Sequence, residues 1–436
     1  MSKTSEAAAS IVSSVADVAT AMPSGHRLSP LQRIGTKLFL GALGNFRHGE
    51  LVVTEPATGE RHTFGHRTAE CDLHTTLEIL HPQTYADVAF GGTVGGGEAY
   101  MRGYWRASDL TALVRLFVLN RDAMESVEGA AAFFAEPVRR VLHWANRNTV
   151  DGSRRNIAAH YDLGNDLFAL FLDQTMTYSC AYFEREDATL HEAQVAKLDR
   201  ICRKLRLGPG DRLLEIGTGW GGLALHAARH YGCHVTTTTI SREQHDWARE
   251  NLDAAGLLAA GRVTLLLEDY RNLTGRYDKL VSVEMIEAVG ARYLDTYTAK
   301  CGSLLEPHGA MLLQAITLQD QIYEQALKSV DFIQRYIFPG SFIPSVTAIA
   351  DSFRRCTDMK VYHLEDIGPH YATTLRRWRE NFLARLPDVR ALGYPESFIR
   401  MWEFYLCYCE GGFRERQIGD VHMLLTKPRC RLPAGA

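Results

Sequence analysis

The sequence predicts an α/β chain: a mainly parallel sheet covered by helices, preceded by a smaller α+β domain. Three observations carry this. Five apolar runs, "RLLEIGTG", "HVTTTTI", "RVTLLLEDY", "KLVSVEMI" and "GAMLLQAIT", follow one another from about residue 195. The helical stretches "GGLALHAARHY" and "SREQHDWARENLDAAG" separate the first three. A parallel pair needs a long crossover, so strand–helix alternation indicates a parallel sheet. Third, the first run ends in a glycine-rich turn, "EIGTGWGG", that opens a helix. Glycines there let the backbone approach a ligand closely.

The remaining segments follow in order. Residues 1–28 are Ala/Ser-rich and are expected to be a mobile N-terminus. Glu6 and Asp17 interrupt their apolar character, so no secretory signal is expected. Residues 29–136 read as a small mixed domain. In it "ELVVTEPATGERHTFG" alternates around a turn, as a hairpin does. "DLHTTLEIL" and "DLTALVRLFVLN" have helical apolar spacing, each with an Asp at its start. The glycines of "FGGTVGGGEAYMRGYW" are too irregular for a phosphate loop and read as a flexible turn before a helix. Residues 137–156 form a basic linker: Arg139, Arg140, Arg147, Arg154 and Arg155 face a single acid, Asp151. Such a segment is either a solvated connector or a side-on contact with anionic lipid. Residues 157–436 carry the α/β pattern.

The chain has 436 residues, a net charge of -3 and 23% charged residues. That balance argues against a dedicated nucleic-acid binder, which shows a basic excess. Nine cysteines are irregularly spaced with no C-x-x-C, which points to reduced thiols in a cytoplasmic protein with no metal site. No stretch reaches the roughly 18 uncharged apolar residues of a spanning helix. Any contact with a membrane is therefore expected from the side.

The turn "LLEIGTGWGG" places Glu215 two residues before Gly217-x-Gly219. This E-x-G-x-G form resembles the S-adenosylmethionine (SAM) site of class I methyltransferases. The resemblance implies their Rossmann-like, mainly parallel seven-stranded sheet. No [D/N/S]-P-P-[Y/F/W] tetrapeptide occurs, so a nucleobase amine is not the expected acceptor.

A second resemblance is more specific. "HYDLGNDLFALFLDQTMTYSCAYF", "TISREQ", "VSVEMIEAVG", "YIFPGSFIPS", "GPHYATTLRRW" and "FYLCYCEGGFRER" occur in this order over roughly residues 150 to 430. Together they resemble the cyclopropane-fatty-acid and mycolic-acid cyclopropane synthases. "GGGEAYMRGYWRASDLTALVRL" is similar to the N-terminal domain of the longer, phospholipid-acting members. The resemblance implies methyl transfer from SAM onto the double bond of an unsaturated acyl chain in a membrane phospholipid. The resulting carbocation then loses a proton as a cyclopropane ring closes. Aromatic faces suit the cation, and a bound bicarbonate takes the proton in the family. A homodimer on the inner face of the membrane is also implied.

The resemblance assigns roles to residues. Gly217 and Gly219 would approach the methionine part of SAM, and Thr239 and Gln244 the ribose. Leu267 and Glu268 would flank the adenine, and Tyr178 and Ser179 would close over the cofactor. Cys180, Glu287, Gln314, Ile316 and Tyr371 would hold the bicarbonate, Ile316 through its backbone. Cys409 matches a thiol long treated as an active-site residue of the family. Cys180 and Cys409 also fit as small buried hydrophobes, Tyr371 as a core aromatic and Glu287 as a helix-start charge. The family has histidine at the positions of Gln314 and Ala288. Glutamine exchanges hydrogen bonds but does not ionise. A branched acyl product and a non-catalytic lipid binder therefore stand beside ring formation as readings.

Overall fold

The computed structural model describes residues 28–124 and 163–432. The basic linker 137–156 lies outside the described residues, as does all but the last residue of the segment 1–28. The chain divides into two compact units.

The first unit takes residues 1–146 together with 329–339 and 386–417. Its sheet has the order β2-β1-β3-β4. β1 (Gly49–Glu55) and β2 (Glu60–His66) are the expected hairpin, antiparallel with Leu51 opposite Phe64. β3 (His74–Ile79) pairs parallel with β1, and β4 (Trp105–Ala107) antiparallel with β3. The helical reading of "DLHTTLEIL" is thus corrected to a strand. Thr75, Leu77 and Ile79 alternate into the core, a period of two that the short run shares with a helix face. The helix Leu110–Leu119 forms as expected, with Asp109 accepting from the Ala112 N–H at 2.9 Å.

The glycine-rich stretch is a helix rather than a turn. It spans Gln83–Met101 and breaks at Gly92, where φ is 55° and ψ is -138°. A Cβ on Gly95 would stand 1.9 Å from the Asp87 carbonyl oxygen, and one on Gly97 would stand 2.3 Å from the Phe332 ring. Close packing places these glycines there and overrides their low helix propensity.

The expected boundary kept all of residues 157–436 in one domain. Instead the helix Glu396–Arg414 belongs to the first unit. It is apolar over most of its length, and Gly411 packs so tightly that a Cβ would lie 2.6 Å from Val114. That burial is available only through a contact remote in sequence.

The second unit takes residues 147–328, 340–385 and 418–436 and holds a seven-stranded sheet of order β10-β11-β9-β8-β5-β6-β7. β5 (Arg212–Ile216), β6 (His234–Thr239), β7 (Val263–Leu267), β8 (Tyr277–Val283) and β9 (Leu305–Leu318) are the five expected strands. They are mutually parallel. β10 (Lys360–Asp366) and β11 (Ile418–Thr426) add an antiparallel edge. The strand order reverses direction at β5, so ligand-binding crevices open at the carboxyl ends of β5, β6 and β8.

Trp378, fully buried on the helix Gly368–Ala384, ties this helix to the segment before the sheet. Its ring centroid lies 5.1 Å from Tyr178, 6.2 Å from Phe171 and 6.0 Å from Tyr371. Trp378→Ala is expected to destabilise this unit by about 3–5 kcal/mol, because the cavity cannot collapse between three fixed rings. Chemical denaturation checks this; a loss below about 1 kcal/mol would contradict the packing described.

Candidate active site

The crevice at β5 begins with backbone geometry. Gly217 has φ of 102° and Gly219 of 52°, the left-handed region that favours glycine. The N–H groups of Gly217 and Thr218 both donate to the Thr238 carbonyl at 3.0 Å, closing the turn against β6. Glu215 does not face a ligand here. It is buried and accepts from the Thr237 hydroxyl at 2.5 Å. Burial raises its carboxyl to about 8, against the opposing effects of Thr237 and Lys197.

The neighbouring strand ends supply the other expected cofactor residues. Thr239 donates to Gln244 Oε1 at 3.0 Å, and Ser241 caps the helix Arg242–Ala254 that carries Gln244. Leu267, at the end of β7, is 38% exposed, an apolar surface at the rim. The Glu268 carbonyl accepts from the Thr238 hydroxyl at 2.5 Å. Tyr178 stands in an aromatic nest with Phe168, Phe171 and Trp378. Ser179 Oγ accepts from the buried Lys197 at 2.8 Å. Open glycine backbone, an exposed apolar strand end and flanking hydroxyls fit a nucleoside with a short polar tail, as SAM is.

Glu215 fixes a stability trend. Its folded-state value lies above the ordinary glutamate value of 4.5, so the folded chain keeps a proton that the unfolded chain releases. The corresponding stability is present below pH 4.5 and is lost as pH rises through about 8. Glu215→Gln removes this loss. The variant is expected to gain up to about 5 kcal/mol relative to the parent across that window. Thermal unfolding at both ends of the window tests it; parallel curves for parent and variant would contradict it.

At the carboxyl end of β8 the residues expected around an anion come together, and an additional residue stands at their centre. Glu284 has φ of 45°, a left-handed conformation uncommon for a residue with a side chain. Its Oε1 accepts from the Cys180 N–H at 2.8 Å and from Gln314 Nε2 at 2.7 Å. Its Oε2 accepts from the Tyr371 hydroxyl at 2.6 Å. The second Gln314 amide proton goes to Asp420 Oδ2 at 3.0 Å. Gln314 Oε1 lies 3.0 Å from His422 Nε2, and Lys204 Nζ lies 3.4 Å from His422 Nδ1. Burial and then Lys204 hold His422 well below its ordinary value, so it is neutral and donates to Gln314.

Charge in this cluster follows from the partners. Burial, and then Glu284, push Asp420 well up. Loss of solvent also raises Glu284, but Tyr371, the Cys180 N–H and Lys197 oppose it. In this pair the proton therefore resides on Asp420 and the negative charge on Glu284. The buried Lys197 faces that charge; burial lowers its ammonium, whereas Glu284 supports it.

Glu287 and Ile316 are paired differently from the expectation. The Ile316 N–H donates to Glu287 Oε1 at 2.6 Å, and Glu287 Oε2 has no hydrogen-bond partner. Loss of solvent and then Glu284 raise Glu287 to about 8. The Cys180 thiol donates to the Ala181 carbonyl at 3.2 Å, and burial, Asp420 and Glu284 push it well above the usual thiol range. It is a neutral thiol, not a nucleophile. Cys409 lies on the helix Glu396–Arg414 in the first unit. Burial and Asp331 push its thiol up as well.

Sequence reasoning missed Glu284, Lys197, Asp420 and His422. Glu284 is the first acid of "VEMIEAVG", three residues before Glu287. Asp420 and His422 share one face of β11, a strand whose polar inner positions disguised it.

Comparison with known proteins places this geometry. Residues 149–423 match the family described as mycolic acid cyclopropane synthetase. A tuberculostearic acid methyltransferase of Mycobacterium tuberculosis is 42% identical over 349 residues, covering 76% of this chain and 78% of that protein. A cyclopropane-fatty-acyl-phospholipid synthase of Escherichia coli is 39% identical over 344 residues, covering 78% and 85%. The crystal structure of a mycolic acid cyclopropane synthase complexed with SAH and CTAB is 34% identical with a TM-score of 0.59, covering 63% of this chain and 98% of that one.

Proposed function

The chain belongs to the mycolic acid cyclopropane synthetase family and is a SAM-dependent methyltransferase of lipids, and from that premise we propose that it methylates the double bond of unsaturated acyl chains in membrane phospholipids. The observation that carries this reading is the charged, aromatic-walled cluster around Glu284 at the carboxyl end of β8. SAM, when bound, supplies an electrophilic methyl on a sulfonium. An isolated alkene is a weak nucleophile that leaves a cation on the neighbouring carbon. Stabilising such a cation takes aromatic faces and exclusion of water. Tyr178 and Tyr371, both packed on Trp378, supply such faces, and Tyr371 is additionally hydrogen-bonded to a carboxylate.

The fate of the cation sets the product. Loss of a proton from the transferred methyl with bond formation to the cation closes a cyclopropane ring. Loss leading to a new double bond gives a branched chain. Gln314 favours keeping the second outcome, because it cannot ionise and so changes how the proton is handled.

Access from the membrane side is part of the proposal. Among the described residues no helix is long and apolar enough to cross a membrane. On the helix Pro30–Leu43 and just before it, Leu28, Leu31 and Ile34 are 37%, 62% and 50% exposed. With Arg33 and Lys37 exposed beside them, this face suits the rim of an anionic bilayer.

The test supplies methyl-labelled SAM and vesicles of either saturated or mono-unsaturated phospholipid. Label is expected only in the unsaturated lipid. Equal labelling of both, or faster labelling of a water-soluble acceptor, would overturn the reading.

A further inference from the structure

We propose that Glu284 is itself the base of the reaction and that the chain works without an external bicarbonate. This rests on the acyl-chain reading above and deepens it. The family resemblance led to an anion site formed by Cys180, Glu287, Gln314, Ile316 and Tyr371. Bicarbonate does not fit there. The donors that would hold it are already directed at a carboxylate of the chain: the Cys180 N–H at 2.8 Å, Gln314 Nε2 at 2.7 Å and the Tyr371 hydroxyl at 2.6 Å all end on Glu284. The Ile316 N–H, at 2.6 Å from Glu287, is likewise committed. A carboxylate has the same planar pair of oxygens that bicarbonate offers, so Glu284 meets three of the donors and Glu287 the fourth.

Further observations suit Glu284 to a base. It is half-buried, whereas Gln314, Asp420, Cys180 and Lys197 around it are buried. Both of its carboxylate oxygens accept hydrogen bonds from the surrounding donors. Its backbone at φ of 45° directs the end of β8 into a conformation a residue with a side chain rarely adopts. The groups that face it from every packed element are Lys197, Cys180, Tyr371, Asp420, Gln314 and Glu287. Among these Lys197 is the one cation, and Asp420 carries a proton, so the carboxylate stays ionised.

The step balances. The C–S bond of the sulfonium breaks with its electron pair left on sulfur. The alkene π pair forms the new C–C bond and leaves the neighbouring carbon positive. Glu284 takes a proton from a carbon next to the cation or from the new methyl. The C–H pair then closes the ring or forms a double bond. The neutral Glu284 carboxyl gives up its proton to solvent before the next turnover.

The experiment uses the full-length protein, SAM and mono-unsaturated phospholipid vesicles in carbon-dioxide-free buffer, with and without added bicarbonate. Parent turnover is expected to be the same in both. Glu284→Gln is expected to lose about 10²–10⁴-fold in kcat with SAM binding retained. Glu284→Gly is expected to be as slow as Glu284→Gln without bicarbonate and to recover at least tenfold with it, since the freed donor set then accepts an anion. Parent turnover that falls on depletion and returns with bicarbonate overturns this inference alone, as does a Glu284→Gln variant as fast as the parent. Absence of methylated lipid from the parent in both buffers overturns the acyl-chain reading and the inference with it.

Discussion

Glu284→Gln is expected to produce the largest loss of activity of any single substitution in this chain, about 10²–10⁴-fold in kcat. The substitution conserves shape, so the cluster keeps its packing. It removes the charge that Lys197 faces and places an amide where donors already converge. One of the three groups donating to Glu284 (Cys180 N–H, Gln314 or Tyr371) is then left opposite another donor. The residues expected to hold SAM stand at the ends of β5, β6 and β7, so its binding is expected to change little. The measurement is single-turnover methyl transfer beside equilibrium SAM binding. Loss of both together would indicate a structural role for Glu284 instead.

Lys197→Met is the second large effect. Lys197 is 1% exposed, and the Glu284 charge supports its ammonium while burial opposes it. The Lys197 charge in turn helps hold the Glu284 carboxyl down. Lys197 makes its direct hydrogen bond to Ser179 and acts on Glu284 through space, so removing it leaves the buried carboxylate with less opposing charge. Glu284 meets that loss by taking up a proton. Its pKa therefore rises, and the ionised base survives only at higher pH. The acid limb of the kcat/KM profile is expected to move up by at least about one unit, equivalent to roughly 1.4 kcal/mol. Activity lost at neutral pH should return on raising the pH. A variant whose acid limb coincides with that of the parent would contradict the electrostatic support that Lys197 gives Glu284.

The sequence carries the central sheet clearly, because β5 to β9 are apolar runs between amphipathic helices. The antiparallel edge is harder to read. β10 is a mixed exposed strand, and β11 hides Asp420 and His422 on its inner face, where apolar residues are the usual signal. In the first unit, β3 satisfied a helical spacing by chance over a short run. The glycine-rich helix reads as a turn because the reason for its glycines, contact with Asp87 and Phe332, is tertiary. The return of the helix Glu396–Arg414 to the first unit has no local signature either.

The site shows the same division. Cys180, Glu287, Gln314, Ile316 and Tyr371 are far apart in sequence and legible only as matched motifs, and the fold gathers them on one side of β8 and β9. Cys409 follows the same motif logic and lies in the other unit. Glu284 was invisible for a different reason. An acid three residues before another acid at a strand end resembles an ordinary solvated charge. Only the directions of Cys180, Gln314 and Tyr371 reveal it as the anion they were expected to bind.

The most direct measurement of the central claim is product analysis from the parent protein in bicarbonate-free buffer, with SAM and vesicles of a mono-unsaturated phospholipid. Mass spectrometry and proton NMR of the released acyl chains report the outcome. The account predicts a one-carbon mass gain with loss of the original olefinic signals, and either upfield cyclopropane methylene signals or the signals of a branch. Bound SAM with acyl chains of unchanged mass would contradict it.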